Sequence, residues 1–185
     1  DLAVASGLGP RIEDRCDSPG EFLRLMMQVA ASGIGAQKKG AGQAEGGHEF
    51  AATLPWGTIE GIRPTHVVVR EILRSAKLSV VILGYELSKG GKIVGQLIDA
   101  AARGAEMTIV CDRDSEGPGV VQEGWDDSIQ APELLVNTPL GGSKKMHCKV
   151  LCVDGRDLLI TSANFTFHGM QGNIEFGVRL RDRES

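Results

Sequence analysis

The chain has 185 residues, a formal net charge of −4, 42% hydrophobic residues and 4% aromatic residues. This length and apolar content predict one globular domain with a small appendage. The negative charge excludes a general attraction to nucleic acid or anionic membranes, and the few aromatic residues exclude the usual stacking platform for single strands, so any such affinity is expected to be local.

The same survey predicts a cytoplasmic protein that does not bind membranes. No apolar run approaches the roughly 18 residues that a membrane span requires, and the N-terminus lacks the pattern of a signal peptide. The cysteines have no metal-ligand spacing, which favours structural thiols over disulfides. They are Cys16, Cys111, Cys148 and Cys152.

The N-terminal part differs in composition from the rest. Residues 1–34 are predicted to form a short helical appendage, because Ser18 and Pro19 resemble a helix start ahead of an apolar run. Residues 35–50 are rich in glycine and polar residues without periodicity, which predicts a flexible linker. The remaining residues, 51–185, are assigned to the main domain.

The first part of that domain alternates helical and strand patterns. A helix is predicted to open at Thr65, and residues 78–83 read as a strand covered on both faces because their apolar run is uninterrupted. Residues 92–102 form an amphipathic helix, and residues 107–111 form the next buried strand. This βαβ pattern predicts an α/β fold, with a mixed β-sheet flanked by helices on both faces.

Three further clusters of charge leave alternatives open. Asp112 and Asp114 follow a strand, where α/β proteins often bind ions, but capping of the long loop that follows is the favoured interpretation. Lys144 and Lys145 either raise the positive potential near the next strand or are solvated loop charges. Arg179, Arg181 and Arg183 either form a phosphate track or mark a fraying strand end.

The stretch from Met146 to Leu180 concentrates residues suited to phosphate chemistry. His147 and Lys149 share one face of a predicted strand, with a possible nucleophile beside an ammonium, and Cys148 points to the opposite, core face. Asp154 ends this strand at a turn. A second apolar segment, residues 158–161, delivers Ser162 and Asn164, and Glu175 lies on the last strand.

The spacing of these residues resembles the HKD motif of the phospholipase D superfamily. The matching positions are His147, Lys149, Asp154, Ser162, Asn164, Asn173 and Glu175. Thr161 departs from the motif, since a glycine is usual before the serine. The resemblance covers about residues 64 to 180 and implies a phospholipase D-like catalytic domain. A narrower resemblance is to the phospholipase D-like proteins of bacterial DISARM anti-phage operons.

The resemblance implies a role for each matching residue. His147 would form a covalent phosphohistidine, and Glu175 would accept a hydrogen bond from its far ring nitrogen. Lys149 and Asn164 would hold the phosphoryl oxygens, so neither a cofactor nor a metal ion is required. The position of Asp154 favours bracing of the turn over substrate contact, and Ser162 is expected to position either Glu175 or the phosphate.

One such motif lacks a group that protonates the leaving oxygen. Members of the superfamily with a single motif complete the site by dimerising, so a homodimer that shares His147 at its twofold axis is expected. His168 is the other nearby histidine and is interpreted as a loop residue.

Three functions compete. The first is a metal-independent nuclease, with DNA the favoured substrate. The second is a phospholipase or phosphatidyl transferase, disfavoured because no membrane-seeking helix or aromatic cluster is visible. The third is a non-catalytic subunit of a defence complex.

Overall fold

The computed structural model describes residues 47–88, 92–137 and 145–181. These residues belong to one compact unit, Glu45–Ser185. The predicted helical appendage and residues 35–46 of the predicted linker lie outside the described ranges, so that division of the chain stays a prediction. The last four residues of the predicted linker belong to a strand that begins at Gly47.

The described residues form eight strands, three α-helices and one π-helical turn. In chain order they are β1 Gly47–Thr53, β2 Arg63–Pro64, α1 Thr65–Ser75, β3 Ser79–Gly84, α2 Ile93–Ala102, β4 Glu106–Asp112, α3 Gly117–Gly124, β5 Glu133–Asn137, β6 Lys149–Val153, β7 Asp157–Thr161, the π-turn His168–Gly172 and β8 Glu175–Arg181.

All these strands join one mixed sheet in the order β2-β1-β8-β7-β6-β3-β4-β5. The pairs β3/β4, β4/β5 and β1/β2 are parallel, and the other neighbours are antiparallel. The predicted βαβ unit is therefore present. The fold class, a mixed sheet with flanking helices, is confirmed.

Within the described ranges the helices form one layer, because α1 contacts α2 and α2 contacts α3. Under this layer lies the core, which includes Ile72 of α1, Leu97 of α2 and Ile109 of β4. Burial along β3 alternates, with Val80 and Ile82 buried and the residues between them half-buried. The described residues thus bury one face of β3 fully and the other face partly. Apolar residues on both faces of a sheet do not reveal which face the helices cover.

Helix α3 was not predicted, because its segment reads as a glycine-rich loop. Pro118 lies in the first turn of this helix, where proline is tolerated because the first backbone N–H groups lack helical partners. The capping interpretation of the preceding acidic segment agrees with the structure. Asp112 accepts a hydrogen bond from the backbone N–H of Asp114 and holds the turn that leads into α3.

Asp154 ties the end of β6 to the start of β3. Its carboxylate accepts hydrogen bonds from the backbone N–H groups of Lys77, Leu78 and Ser79, at 2.8–3.4 Å. The φ angle of Asp154 is 54°, a left-handed conformation that aspartate and asparagine tolerate better than most residues. Desolvation acts to raise the pKa of Asp154, but these backbone hydrogen bonds outweigh it and the pKa is lowered.

A cluster of ion pairs fixes the other side of the sheet. The guanidinium of Arg179 on β8 is 3% exposed and contacts Asp157 of β7, Glu49 of β1 and Glu71 of α1. Desolvation acts to lower the pKa of Arg179, but the hydrogen bonds that its guanidinium donates to Asp157 and Glu49 outweigh it, and the pKa is raised. Arg181 also pairs with Glu49 and Asp157. Arg179 is therefore a buried ion-pair residue and belongs neither to a phosphate track nor to a fraying strand end. For Arg181 the two interpretations stay open, and Arg183 lies outside the described ranges.

The brace at Asp154 generates a prediction about pH. Because its pKa is lowered in the folded state, Asp154 contributes stability above the unfolded pKa of about 4, and this contribution is lost as pH falls through the folded pKa. Asp154→Asn should therefore lower the free energy of unfolding by about 1–2 kcal/mol at pH 7, with the difference narrowing below pH ~4. Denaturant titrations at several pH values measure this.

Asp127→Asn is the matched control, because Asp127 is exposed. It should leave stability unchanged at each pH. Equal stability of Asp154→Asn and the wild-type protein at pH 7 would show that the carboxylate does not brace the turn.

Candidate active site

The candidate site lies at one end of the central strands. Lys149 opens β6 and pairs with Gly84, the last residue of β3. On the other side, Thr161 closes β7 and pairs with Gly177 near the start of β8. The segments just beyond these pairs therefore meet at the same edge of the sheet, and they carry most of the residues that the sequence predicted.

Lys149 is the centre of the site. Its side chain points to the helix-covered face, and the residue is 3% exposed. The ammonium nitrogen Nζ lies 2.9 Å from Nδ1 and 3.1 Å from Nε2 of His147, and it donates a hydrogen bond to the carbonyl oxygen of His147 at 3.0 Å. Desolvation lowers the pKa of Lys149, and the negative charges of Glu175 and Glu86 oppose that shift.

His147 precedes β6 instead of lying within it, and it is exposed. The predicted proximity of His147 and Lys149 is present, but the predicted separation of a chemical face from a core face is wrong. Lys149 shares its face with Leu151 and Val153 of the core, whereas Cys148 is exposed. The site therefore lies at one end of the sheet face that carries the core, and His147 is exposed there.

Asn164 reaches the same cluster from the loop after β7. Its side-chain nitrogen Nδ2 donates a hydrogen bond to Glu86 at 3.3 Å, and Glu86 in turn acts on the charge of Lys149. The side-chain oxygen Oδ1 of Asn164 is buried and has no hydrogen-bond partner. The amide group is therefore held with its nitrogen toward the acidic side of the site.

Glu175 and Ser162 are hydrogen-bonded to each other. The hydroxyl of Ser162 donates to one oxygen of Glu175 and accepts from the backbone N–H of Phe176 at 3.1 Å. Asn173 donates to the other oxygen of Glu175 at 3.1 Å. Of the two alternatives for Ser162, the structure shows the one in which it positions Glu175. The predicted hydrogen bond from His147 to Glu175 is not formed between these described residues.

Asp154 is not part of this cluster. With roughly 3.3 Å per strand residue, it lies about 16 Å from Lys149, at the far end of β6. It therefore braces the fold, as its position at the strand end suggested, and is removed from the group of residues that could meet a substrate. His168 begins the π-turn, is exposed, and packs edge-on against Phe167 with 5.6 Å between ring centroids.

Three residues near His147 were not assigned to the site from the sequence. Glu86 follows β3, and Tyr85 places its ring 5.3 Å from the ring of His147. Asp112, at the end of β4, accepts a hydrogen bond from the backbone N–H of Met146 at 2.8 Å and so fixes the approach to His147. The sequence could have indicated these residues by their positions, because polar residues that follow adjacent parallel strands meet at one edge of a sheet.

Comparison with known proteins identifies the family. A family model described as "Cardiolipin synthase, PLD-like domain" matches residues 69–185, more than half of the chain. The chain belongs to this phospholipase D-like family. In the solved structures, Nuc from Salmonella typhimurium, a phospholipase D family member, has a TM-score of 0.58 at 21% identity and covers 74% of this chain and 84% of its own.

Two other relatives are informative. NucT from Helicobacter pylori has a TM-score of 0.53 at 18% identity, covering 74% of this chain and 86% of its own. The DISARM protein DrmC from Bacillus paralicheniformis is 26% identical over 137 residues, which is 73% of this chain and 57% of DrmC. The phospholipase D-like chain therefore spans just over half the length of that curated relative.

The phospholipase D-like site offers a cation and hydrogen-bond donors to a phosphoryl group. Within the described ranges, no group of three His, Cys, Asp or Glu residues is arranged to hold a metal ion. Asp112, the candidate ligand suggested by the sequence, instead accepts hydrogen bonds from backbone N–H groups. In the same ranges no helix is long and apolar enough to cross a membrane.

Gly169 in the π-turn supports Asn164 and can be tested directly. A Cβ atom at Gly169 would lie 2.2 Å from the backbone oxygen and 2.8 Å from the backbone nitrogen of Asn164. Gly169→Ala should therefore displace the Asn164 backbone and lower the free energy of unfolding by about 1–3 kcal/mol, measured by denaturant titration.

Gly95→Ala is the matched control, because Gly95 lies on α2 and a Cβ atom there meets open space. This change should raise stability by about 0.5–1 kcal/mol, the usual gain from alanine within a helix. If both variants were equally stable, the close approach of the π-turn to Asn164 would not be a constraint.

Proposed function

We propose that this protein is a metal-independent phosphodiesterase that cleaves nucleic acid, with DNA the favoured substrate. The observation that carries the proposal is the contact of the buried Lys149 ammonium with both ring nitrogens of His147, at 2.9 and 3.1 Å. Membership of the phospholipase D-like family supports it. A nucleophile and a cation held at this distance can both reach one phosphorus centre.

The first chemical step forms a covalent intermediate. A neutral ring nitrogen of His147 attacks phosphorus, an N–P bond forms, and the bond from phosphorus to the leaving oxygen breaks. Lys149 and Asn164 stabilise the negative charge that collects on the non-bridging oxygens. The leaving oxygen takes a proton from the partner subunit's His147, which enters the step as an imidazolium.

The second step returns the enzyme to its starting state. The now neutral ring of the partner subunit's His147 accepts a proton from water as the water oxygen attacks phosphorus. The N–P bond breaks, and the product is a phosphomonoester with one oxygen from water. The proposed reaction therefore uses one neutral ring and one protonated ring, one from each subunit.

The rim of the site supports assembly of two subunits. His147 is exposed, as a residue shared across a twofold axis must be in the separate chain. Phe167, three residues beyond Asn164, is 50% exposed, and Ile174, beside Glu175, is 48% exposed. In the proposed dimer these two side chains would be covered by the partner subunit.

The same rim supports a nucleotide substrate. Lys145 is exposed, and its ammonium donates a hydrogen bond to the hydroxyl of Tyr85 at 2.8 Å. This hydrogen bond is the first cause of the raised pKa of Lys145, so the side chain stays cationic beside the nucleophile. A cation and an aromatic ring next to the reacting centre suit a phosphate and a base of a nucleic acid strand.

The similarity to the DISARM protein DrmC supports a place in bacterial anti-phage defence. In this proposal the chain acts with other proteins of a defence complex, and cleavage of invading DNA is its contribution.

An assay that offers phosphatidylcholine vesicles in parallel with DNA tests the alternative of a phospholipase. Release of a headgroup without DNA cleavage would replace the nuclease by a phospholipase.

His147→Ala should abolish cleavage of DNA and of bis(para-nitrophenyl) phosphate and leave the fold intact, because the exposed ring contributes little to packing. The loss should exceed about a thousandfold, and adding Lys149→Met should cause little further loss because the two residues act as a unit. Release of para-nitrophenolate and gel assays of DNA measure both.

His66→Ala is the control, because His66 is an exposed histidine on α1. Activity of His147→Ala within tenfold of wild type would refute the assignment.

Excess EDTA should leave the rate unchanged, because Lys149 and an imidazolium supply the positive charge that a metal ion supplies in other phosphodiesterases. The assay compares initial rates after dialysis against EDTA with and without added magnesium. Loss of activity that magnesium restores would require a metal-dependent mechanism.

Activity per chain should fall on dilution through the dissociation constant of the dimer, because a separate chain has a nucleophile and no acid. Initial rates over a range of protein concentrations, with sedimentation at the same concentrations, measure this.

A mixed dimer of wild-type and His147→Ala chains should retain more activity on the para-nitrophenyl reporter than on DNA, because the leaving group of the reporter needs less protonation. Full activity of a monomer on DNA would exclude the shared site and make His168 the candidate acid.

A further inference from the structure

Glu86 is an acidic residue inside a site built to receive an anion. It follows β3 and is half-buried. It is not one of the residues matched to the HKD motif, and the proposed function gives it no role. Its carboxylate contacts Asn164 and acts electrostatically on Lys149. These are the two residues that hold the phosphoryl oxygens in the proposed function.

The backbone holds Glu86 firmly in this place. The carbonyl oxygen of Glu86 accepts a hydrogen bond from the backbone N–H of Phe165 at 3.2 Å, and Ser88 donates one to the carbonyl oxygen of Phe165 at 3.5 Å. Leu87 and Phe165, which form the bridge between the two segments, are fully buried. Glu86 is therefore anchored directly beside Asn164 by the core itself.

The orientation of the Asn164 amide needs such a partner. Its oxygen Oδ1 is buried without a hydrogen bond, an arrangement that costs free energy. The nitrogen Nδ2 donates to Glu86 at 3.3 Å, and a carboxylate is a stronger acceptor than a neutral group. The Nδ2 group has two N–H donors, so one remains for a phosphoryl oxygen.

We propose that Glu86 is a positioning residue that holds the Asn164 amide with its nitrogen toward the substrate. This inference rests on the proposed function and extends it to a residue outside the motif. Without Glu86, a rotated Asn164 would present its carbonyl oxygen to an anion and repel it. Lys149, already desolvated, would also lose one of the negative charges that keep it protonated.

Two substitutions separate these effects. Glu86→Gln keeps an oxygen that can accept from Asn164 and removes the charge, whereas Glu86→Ala removes both. Glu60→Gln is the matched control, because Glu60 is exposed and the change removes one carboxylate elsewhere. Thermal unfolding of each variant establishes that it is folded, and Glu86→Gln carries the test if the alanine variant is not.

The first readout is nuclear magnetic resonance of the ¹⁵N- and ¹³C-labelled protein without substrate. Signals of the Asn164 side-chain amide, assigned with Asn164→Asp, should move in Glu86→Ala and stay closer to wild type in Glu86→Gln. The titration midpoint of Lys149 should shift to lower pH in both variants, because removing a negative charge destabilises the ammonium. Glu60→Gln should change neither.

The second readout is the pH dependence of kcat/KM on bis(para-nitrophenyl) phosphate. Glu86→Ala should lower kcat by roughly tenfold to a hundredfold, as misplacement of a binding group does, and Glu86→Gln should lower it less. In both variants the alkaline limb of the profile should begin at lower pH, because Lys149 loses its proton earlier.

The two readouts separate the two proposals. Unchanged Asn164 signals in Glu86→Ala would overturn the role of Glu86, whatever the activity. A wild-type protein that cleaves neither the reporter nor DNA would refute the proposed function, and the resonance measurements would still decide whether Glu86 positions Asn164.

Discussion

The site depends on keeping a charged ammonium inside a nearly dry environment. Removing Lys149 from water disfavours its protonated form, and two carboxylates and the electron-rich atoms of His147 oppose that penalty. The elements around it serve this balance. Strand β6 starts at the lysine, β8 starts at Glu175, and the segment after β3 brings Glu86. A change in any of these three elements is therefore expected to alter the protonation of the Lys149 side-chain nitrogen.

This balance also explains how a net negative protein can present a site for an anion. The formal charge of −4 says nothing about where the charges lie. Many of the acids near the site are already engaged: Asp112 by backbone N–H groups, Glu175 by Ser162 and Asn173, and Glu86 by Asn164. In the proposed function, a phosphodiester would meet the donors Lys149, beside His147, and Lys145, beside Tyr85.

Local patterns predicted much of the fold and of the site, whereas features set by distant strands were missed. His147 and Lys149 were predicted to meet because they lie two residues apart, although His147 precedes the strand, and the approach of Ser162 to Glu175 follows from the motif. Glu86 and Asp112 belong to other strands, and their meeting is decided by the order of strands in the sheet. The covered face was also unpredictable, since alternating apolar residues look the same whichever side the helices occupy. Helix α3 was hidden because Gly117 and Gly119 weigh toward a loop.

The ion-pair cluster around Arg179 has a consequence for where this domain begins. Glu49 lies on β1, two residues before the boundary that composition predicted at residue 51, and its carboxylate lies 2.6 Å from the Arg179 guanidinium. A shortened chain that started at Ala51 would keep the motif and the helices, but it would leave a guanidinium that is 3% exposed with one fewer counter-charge. The strand that begins at Gly47 is therefore tied to the rest of the sheet by charge as well as by backbone pairing, because its Glu49 supplies a counter-charge to a buried guanidinium.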